Sequence, residues 1–199
     1  MIEATGFITA GGKSSRMGED KAWLQLGGRA MIEHVIAAVS HVTNELAIIA
    51  NSPAYRRLGY RVFADSNPGI GPLEAIRTAL SNSRTSHVIL VGCDLPFITP
   101  DLLKLLVSAS EDHCATVPTG ADGNLEPLCA IYCCDALSAV TDLIREGERK
   151  VRLLFDRVTT RFVGFNELSH LQGAESFFEN VNTREDYTLA LDRLRRRFL

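Results

Sequence analysis

Short apolar runs alternate along the chain with stretches that repeat apolar residues every three or four positions, the pattern of strands joined by helical crossovers in an α/β sheet. A first strand ends with Gly6 to Thr9. Ala30 to Val39 then sets Met31, Val35, Ile36 and Val39 on one helical stripe, and Leu46 to Ala50 reads as a second strand, completing one βαβ unit. Arg61 to Phe63 is a short third strand, Leu73 to Leu80 a helix, and His87 to Val91 a β-rich run that stops at Gly92. Thr99 stands as N-cap with Pro100 in the first turn of the next helix, whose Leu102, Leu103, Leu105, Leu106 and Val107 predict deep burial. Cys114 to Val117 and Leu128 to Tyr132 are two further strands, separated by the polar turn Gly120-Ala121-Asp122-Gly123-Asn124. Asp135 to Glu146 is a helix that Gly147 ends, Arg161 to Phe165 is strand-like, and Arg184 to Phe198 is a closing helix carrying Leu189, Leu191 and Leu194. No repeat, linker or low-complexity stretch interrupts the rhythm. The expectation is therefore one α/β domain over residues 1–199, with a mostly parallel central sheet.

Composition narrows the function classes. At 199 residues, folding removes roughly 70% of the unfolded chain's accessible surface, enough for a core without disulfides or structural metal. The formal net charge of −3 argues against a dedicated nucleic-acid or anionic-membrane binder. Apolar stretches such as Val88 to Val91 and Leu102 to Val107 fall far short of the ~20 residues of a membrane span. The opening residues lack a basic n-region and lead into Gly11-Gly12 in place of a cleavage site, so a cytoplasmic location is expected. The five cysteines, Cys93, Cys114, Cys129, Cys133 and Cys134, are odd in number and lack paired CxxC spacing. They read as buried or partly buried thiols in a reducing compartment. None of the five histidines has metal-ligand spacing, and the basic run Arg193 to Arg197 reads as a solvated helix end favoured by the helix dipole.

Candidate chemistry begins at Thr9-Ala10-Gly11-Gly12-Lys13-Ser14-Ser15-Arg16-Met17-Gly18-Glu19-Asp20-Lys21, a glycine- and cation-rich segment directly after an apolar strand. Glycines allow a positive φ and close backbone approach, and successive N–H groups form a concavity for phosphate. Arg16 and Lys21 add charge. The segment is no Walker A loop, because Phe7 stands where that pattern needs glycine, and it is no GxGxxG, because Gly11 and Gly12 are adjacent. The bland alternative is a surface turn with solvated cations. Asp94 follows the buried run Val88 to Val91; alone it reads as a turn or capping residue, but beside a phosphate loop it reads as a Mg²⁺ ligand. Asn51 and Asp65 likewise stand at strand ends.

The segment Ala10 to Lys21 resembles the signature loop of the molybdenum cofactor guanylyltransferases, the MobA family of nucleotidyltransferases. The resemblance extends over nearly the whole chain through Asn51, Asp65 before Gly71-Pro72-Leu73, Cys93-Asp94-Leu95-Pro96, Glu126-Pro127-Leu128 and Asn180-Val181-Asn182-Thr183. It implies a three-layer Rossmann-like nucleotidyltransferase fold that transfers GMP from GTP to the terminal phosphate of molybdenum-molybdopterin. By position, it implies that Thr9, Ala10, Gly11 and Gly12 hold GTP, that Lys21 and Arg16 bind phosphates, that Asn51 and Asp65 contact nucleotide, and that Asp94 ligates Mg²⁺. Asn180 and Asn182 fall near metal and acceptor. Molybdenum insertion factors or molybdoenzyme chaperones are the implied recipients of the product, with no nucleic acid or membrane partner. Thr9 stands where leucine is common, and Ser52-Pro53 replaces a usual basic residue. Asp20 favours the guanylyl branch over cytidylyl relatives, which tend to carry proline there. The alternatives are a cytidylyltransferase of the same fold, acting on molybdenum cofactor or a sugar or alcohol phosphate, and a non-catalytic nucleotide-binding protein.

Overall fold

The computed structural model describes residues 3–11, 20–65, 67 and 69–197. In chain order the elements are β1 (Ala4–Thr9), β2 (Gln25–Leu26), β3 (Arg29–Ala30), α1 (Met31–Ser40), β4 (Leu46–Ile49), β5 (Arg61–Phe63), α2 (Pro72–Asn82), β6 (His87–Gly92) and α3 (Pro100–Ser108). The chain continues through β7 (Ala115–Pro118), β8 (Cys129–Cys133), α4 (Ala136–Arg145), α5 (Arg152–Phe155), β9 (Thr160–Val163), α6 (Phe165–Leu168) and α7 (Arg184–Arg197).

Seven strands form one sheet in the order β5-β4-β1-β6-β8-β7-β9. Every pairing is parallel except the two made by β8. Because successive side chains point to opposite faces, each strand feeds two cores. Ile8, Ile48, Ile89 and Val91 join Ile32 and Val35 of α1 and Leu102 and Leu106 of α3 on one face. Phe7, Ile49, Val88 and Leu90 join Leu73 and Ile76 of α2 and Val140 and Leu143 of α4 on the other. This is the expected three-layer α/β architecture, and such two-faced burial is why the central strands lack polar alternation.

Two local expectations are corrected, and one element is added. The strand expected over Arg161 to Phe165 ends at Val163, because Gly164 N–H donates to Glu167 Oε1 (3.0 Å) and Phe165–Leu168 turns helical. Arg193 is not a solvated helix end: its guanidinium donates to Ser176 Oγ at 2.5 Å and to Glu179, tying α7 to the preceding segment. The β2–β3 hairpin around Gly27-Gly28 was not expected, since two-residue strands carry no readable period. Phe198 of the expected closing helix lies outside the described residues. Among the described residues, no helix is long and apolar enough to cross a membrane.

Register fixes where chemistry can occur. Thr9 stands opposite both Ile49 of β4 and Gly92 of β6, so three parallel strands end level. Beyond that rung the main chains remain joined: Ala10 N–H donates to Ile49 O, Cys93 N–H to Thr9 O and Ala50 N–H to Phe63 O, each at 2.9 Å. The chain passes from β1 to β4 and β5 on one side, then returns through β6 to the other. That reversal opens a crevice at the carboxyl ends of the strands, where ligands bind in open α/β sheets.

Candidate functional site

Asp94 lies two residues beyond β6, in the turn that leaves the sheet. An ideal Cβ on Gly92 would sit 2.4 Å from Asp94 Oδ1, so the carboxylate folds back over a position that only glycine leaves open. Its other oxygen, Oδ2, accepts from Lys21 Nζ at 2.7 Å, and the side chains are only 18% and 19% exposed. Lys21 Nζ also donates to Asn182 Oδ1 at 2.7 Å. Residues 73 and 161 positions from the lysine thus meet at one ammonium.

Lys21 opens a short helical turn whose placement depends on Asp20. Asp20 Oδ1 accepts from Ala22 N–H (3.2 Å), and Oδ2 accepts from the Tyr55 hydroxyl (2.6 Å). Burial, followed by that bond to Asp20, pushes the Tyr55 phenol upward, which keeps it a donor. Tyr55 stacks on Trp23 with ring centroids 5.1 Å apart, and Arg57 lies 3.6 Å from the Trp23 ring centroid. Asp20 therefore faces the protein, where it holds the turn that presents Lys21.

The asparagine side is held as firmly. Val181 N–H donates to Asp94 O (2.9 Å), which sets Asn180 and Asn182 on either side of the Asp94 main chain. Asp186 Oδ2 accepts from the N–H groups of Asn182 and Thr183, and Asp186 N–H donates to Thr183 Oγ1. This reciprocal cap starts α7 and fixes Asn182 at its entry. The bond from Asn182 N–H, ahead of the other capping bonds, holds the Asp186 carboxyl below its ordinary value. Val181, Leu26, Met31, Phe97 and Ala190 form a small apolar cluster beneath.

Glu126 completes the vicinity, although the sequence pointed to it only as part of a motif. Its Oε2 accepts from Asn180 Nδ2 at 3.3 Å. Burial pushes the carboxyl up to about 7; the Asn180 bond opposes the shift, and the negative charge of Asp94 adds to it. At the β4–β5 end, Asp65 N–H donates to Asn51 Oδ1 (3.1 Å), and Asp65 Oδ1 accepts from Thr78 Oγ1 (3.2 Å). Burial raises the Asp65 carboxyl, the Thr78 bond lowers it, and nearby Glu74 raises it. The structure therefore places two groups along one edge: Lys21, Asp94, Asn180 and Asn182 at one end, Asn51 and Asp65 at the other, with the Thr9–Ala10–Gly11 main chain on β1 between the flanking strands. Gly11 is exposed with φ +90°, suited to close backbone approach. Gly12 and Arg16 lie outside the described residues.

The arrangement suits phosphate and hard cations better than covalent catalysis. Cys93, beside Asp94, is fully buried and its thiol is pushed up to about 12 by burial first, so it is no thiolate nucleophile at neutral pH. Asp94 and the Asn182 carboxamide oxygen supply oxygen donors, the set that hard divalent cations prefer.

Residues 6–161 match the model of the MobA-like NTP transferase domain. The chain is 35% identical over 187 residues to the probable molybdenum cofactor guanylyltransferase of Carboxydothermus hydrogenoformans, covering 94% of each chain. It is 36% identical over 191 residues to the protein of the same name from Pelotomaculum thermopropionicum, covering 96% of this chain and 93% of that one. The crystal structure of molybdopterin-guanine dinucleotide biosynthesis protein A from Archaeoglobus fulgidus superposes with a TM-score of 0.82 at 22% identity, covering 96% of this chain and 99% of that chain.

Proposed function

Because this chain belongs to the MobA-like NTP transferase family, we propose that its cleft transfers GMP from GTP to the terminal phosphate of molybdenum-molybdopterin, forming molybdopterin guanine dinucleotide and pyrophosphate. The observation that carries the reading is the meeting of Lys21, Asp94 and Asn182 at the carboxyl end of β6, beside the end of β1, where Thr9 stands opposite Gly92.

In the reaction an oxygen of the acceptor phosphate bonds to the α-phosphorus while the α–β bridging bond breaks and pyrophosphate leaves. Acceptor and donor are both anions, and two unit charges 4 Å apart repel by about 4 kcal/mol at an effective dielectric of ~20. The residues of this cleft are arranged to offset that repulsion. The main chain at Thr9, Ala10, Gly11 and Gly12 holds GTP as the chain leaves β1, and Lys21 and Arg16 supply positive charge to the phosphates. Asn51 and Asp65 contact the nucleotide at the far end. Asn180 and Asn182 border the acceptor, with Asn180 held by Glu126. Oxygens of Asp94 and Asn182 fit Mg²⁺, which when bound would neutralise triphosphate and pyrophosphate charge. Lys21 pairs with Asp94, which keeps its ammonium at the end of the cleft where the phosphates are held. The attacking phosphate is already ionised, so positioning takes the place of a general base. The product would pass to molybdenum insertion factors or molybdoenzyme chaperones in the cytoplasm.

The test is an assay of the purified protein with molybdate-loaded molybdopterin and each nucleoside triphosphate in turn, with product read by mass. The guanine dinucleotide is expected from GTP, and folded Lys21→Ala and Asp94→Ala proteins are expected to lose it. Preferential use of CTP would move the assignment to a cytidylyltransferase. GTP binding with no pyrophosphate released would make the protein a non-catalytic nucleotide binder.

A further inference from the structure

We propose that Cys114, Cys133 and Asp135 form a binding site for one thiophilic divalent cation of zinc chemistry, at the edge of the sheet opposite the nucleotide cleft. β7 and β8 run antiparallel with Ala115 opposite Tyr132, so the next rung brings Cys114 opposite Cys133. Cys133 N–H donates to Cys114 O at 2.9 Å, which sets the two thiols side by side. Asp135 follows two residues later, at the start of α4, and its carboxylate makes no capping bond to that helix. The two sulfurs and a carboxylate oxygen all lie within 4.8 Å of one another. Tetrahedral zinc with sulfurs at about 2.3 Å needs them about 3.8 Å apart, a small adjustment from this arrangement.

Burial, followed by the neighbouring Cys114 thiol, pushes the Cys133 thiol up to about 12, and the backbone N–H groups of Ala136 and Asp135 act against that rise; a cation held here would displace the thiol protons, so its binding would tighten with rising pH. Cys133 is buried, Cys114 is half-buried and Asp135 is exposed, so an ion can enter from solvent and keep an open position. The same rung continues on β6 to His87, opposite Cys133, whose side chain stands on the shared face of the sheet. Cys134, by contrast, donates to Thr85 O and takes no part. His87 begins β6 and Gly92 ends it, which puts the site about 17 Å from the cleft at ~3.4 Å per residue. An ion there would join β7, β8 and the start of α4, an effect on folding independent of GMP transfer.

The test uses the reduced, metal-free full chain, titrated anaerobically with Cd²⁺ as spectroscopic probe and with Zn²⁺. One equivalent of Cd²⁺ is expected to give a sulfur-to-metal charge-transfer band, and Zn²⁺ to raise the unfolding temperature. Cys114→Ser is expected to abolish the band while GMP transfer is retained, and Cys134→Ser to keep it. Asp135→Asn, at an exposed position that leaves both thiols in place, is expected to weaken Zn²⁺ binding about tenfold or more. Absence of the band, or its persistence in Cys114→Ser, would overturn the site. So would failure to take up metal in a protein whose two thiols are readily joined as a disulfide by a small-molecule disulfide oxidant.

Discussion

At the scale of single residues, the two carboxylates of the cleft make separate predictions. Gly92 leaves room for Asp94 Oδ1, and an alanine Cβ would stand 2.4 Å from that oxygen. Gly92→Ala is expected to turn the carboxylate away and lower the transfer rate on the order of 100-fold, the scale of a misplacement of about 1 Å. The unfolding midpoint should change far less, since a small residue is added beside a movable carboxylate; an unchanged rate would refute the placement. Glu126 carries a folded-state pKa of about 7 against an ordinary 4.5. A carboxyl raised in this way favours the fold while protonated. Its contribution is complete below about pH 4.5 and is lost as pH rises through about 7. Glu126→Gln retains an acceptor for Asn180 but does not ionise. The variant is expected to gain stability over the parent across that window in urea titrations, and parallel pH profiles would show that Glu126 ionises freely.

At the scale of elements, the turn that carries Lys21 is held by a brace of side chains from another segment. Tyr55→Phe removes the hydroxyl bonded to Asp20 but keeps the ring stacked on Trp23. A loss of about 1–2 kcal/mol is expected from the partly buried acceptor left behind. The KM for GTP should rise as Lys21 loosens, whereas a purely structural role would lower stability with KM unchanged. The brace also clarifies Asp20: the sequence marks it by comparison with relatives, and in the structure its carboxylate holds the turn through Ala22 N–H and the Tyr55 hydroxyl. The hairpin of β2 and β3 and the four-residue α5 and α6 were illegible beforehand, because two to four residues hold too few apolar positions to define a period. Longer elements were legible because each buries a continuous face: α3 buries Leu102, Leu103, Leu106 and Val107 and is capped by Thr99, whose Oγ1 accepts from Leu102 N–H.

At the scale of the whole molecule, a ligand that bridges both ends of the crevice should stabilise the fold it binds. Mg-GTP at 100 times its dissociation constant is expected to add ~2.7 kcal/mol, a rise of roughly 5–10 °C for a chain of this size. Mg-CTP and Mg-ATP at the same concentration should give smaller shifts, and Lys21→Ala should reduce the Mg-GTP shift. Equal shifts from all three nucleotides, measured by calorimetry, would remove base selectivity from this protein.

The order of strands and helices, the two-faced burial of the sheet and the positions of Thr9, Asn51, Asp65 and Asp94 at strand ends were written in the sequence, because apolar periodicity and the polar residue that breaks it are local properties. The joining of Lys21 to Asp94 and Asn182, the setting of Glu126 beside Asn180 and the pairing of Cys114 with Cys133 were decided only by tertiary structure. Each depends on strand register or on a cap far along the chain, and no spacing in the sequence encodes a distance set by how the sheet closes its rungs.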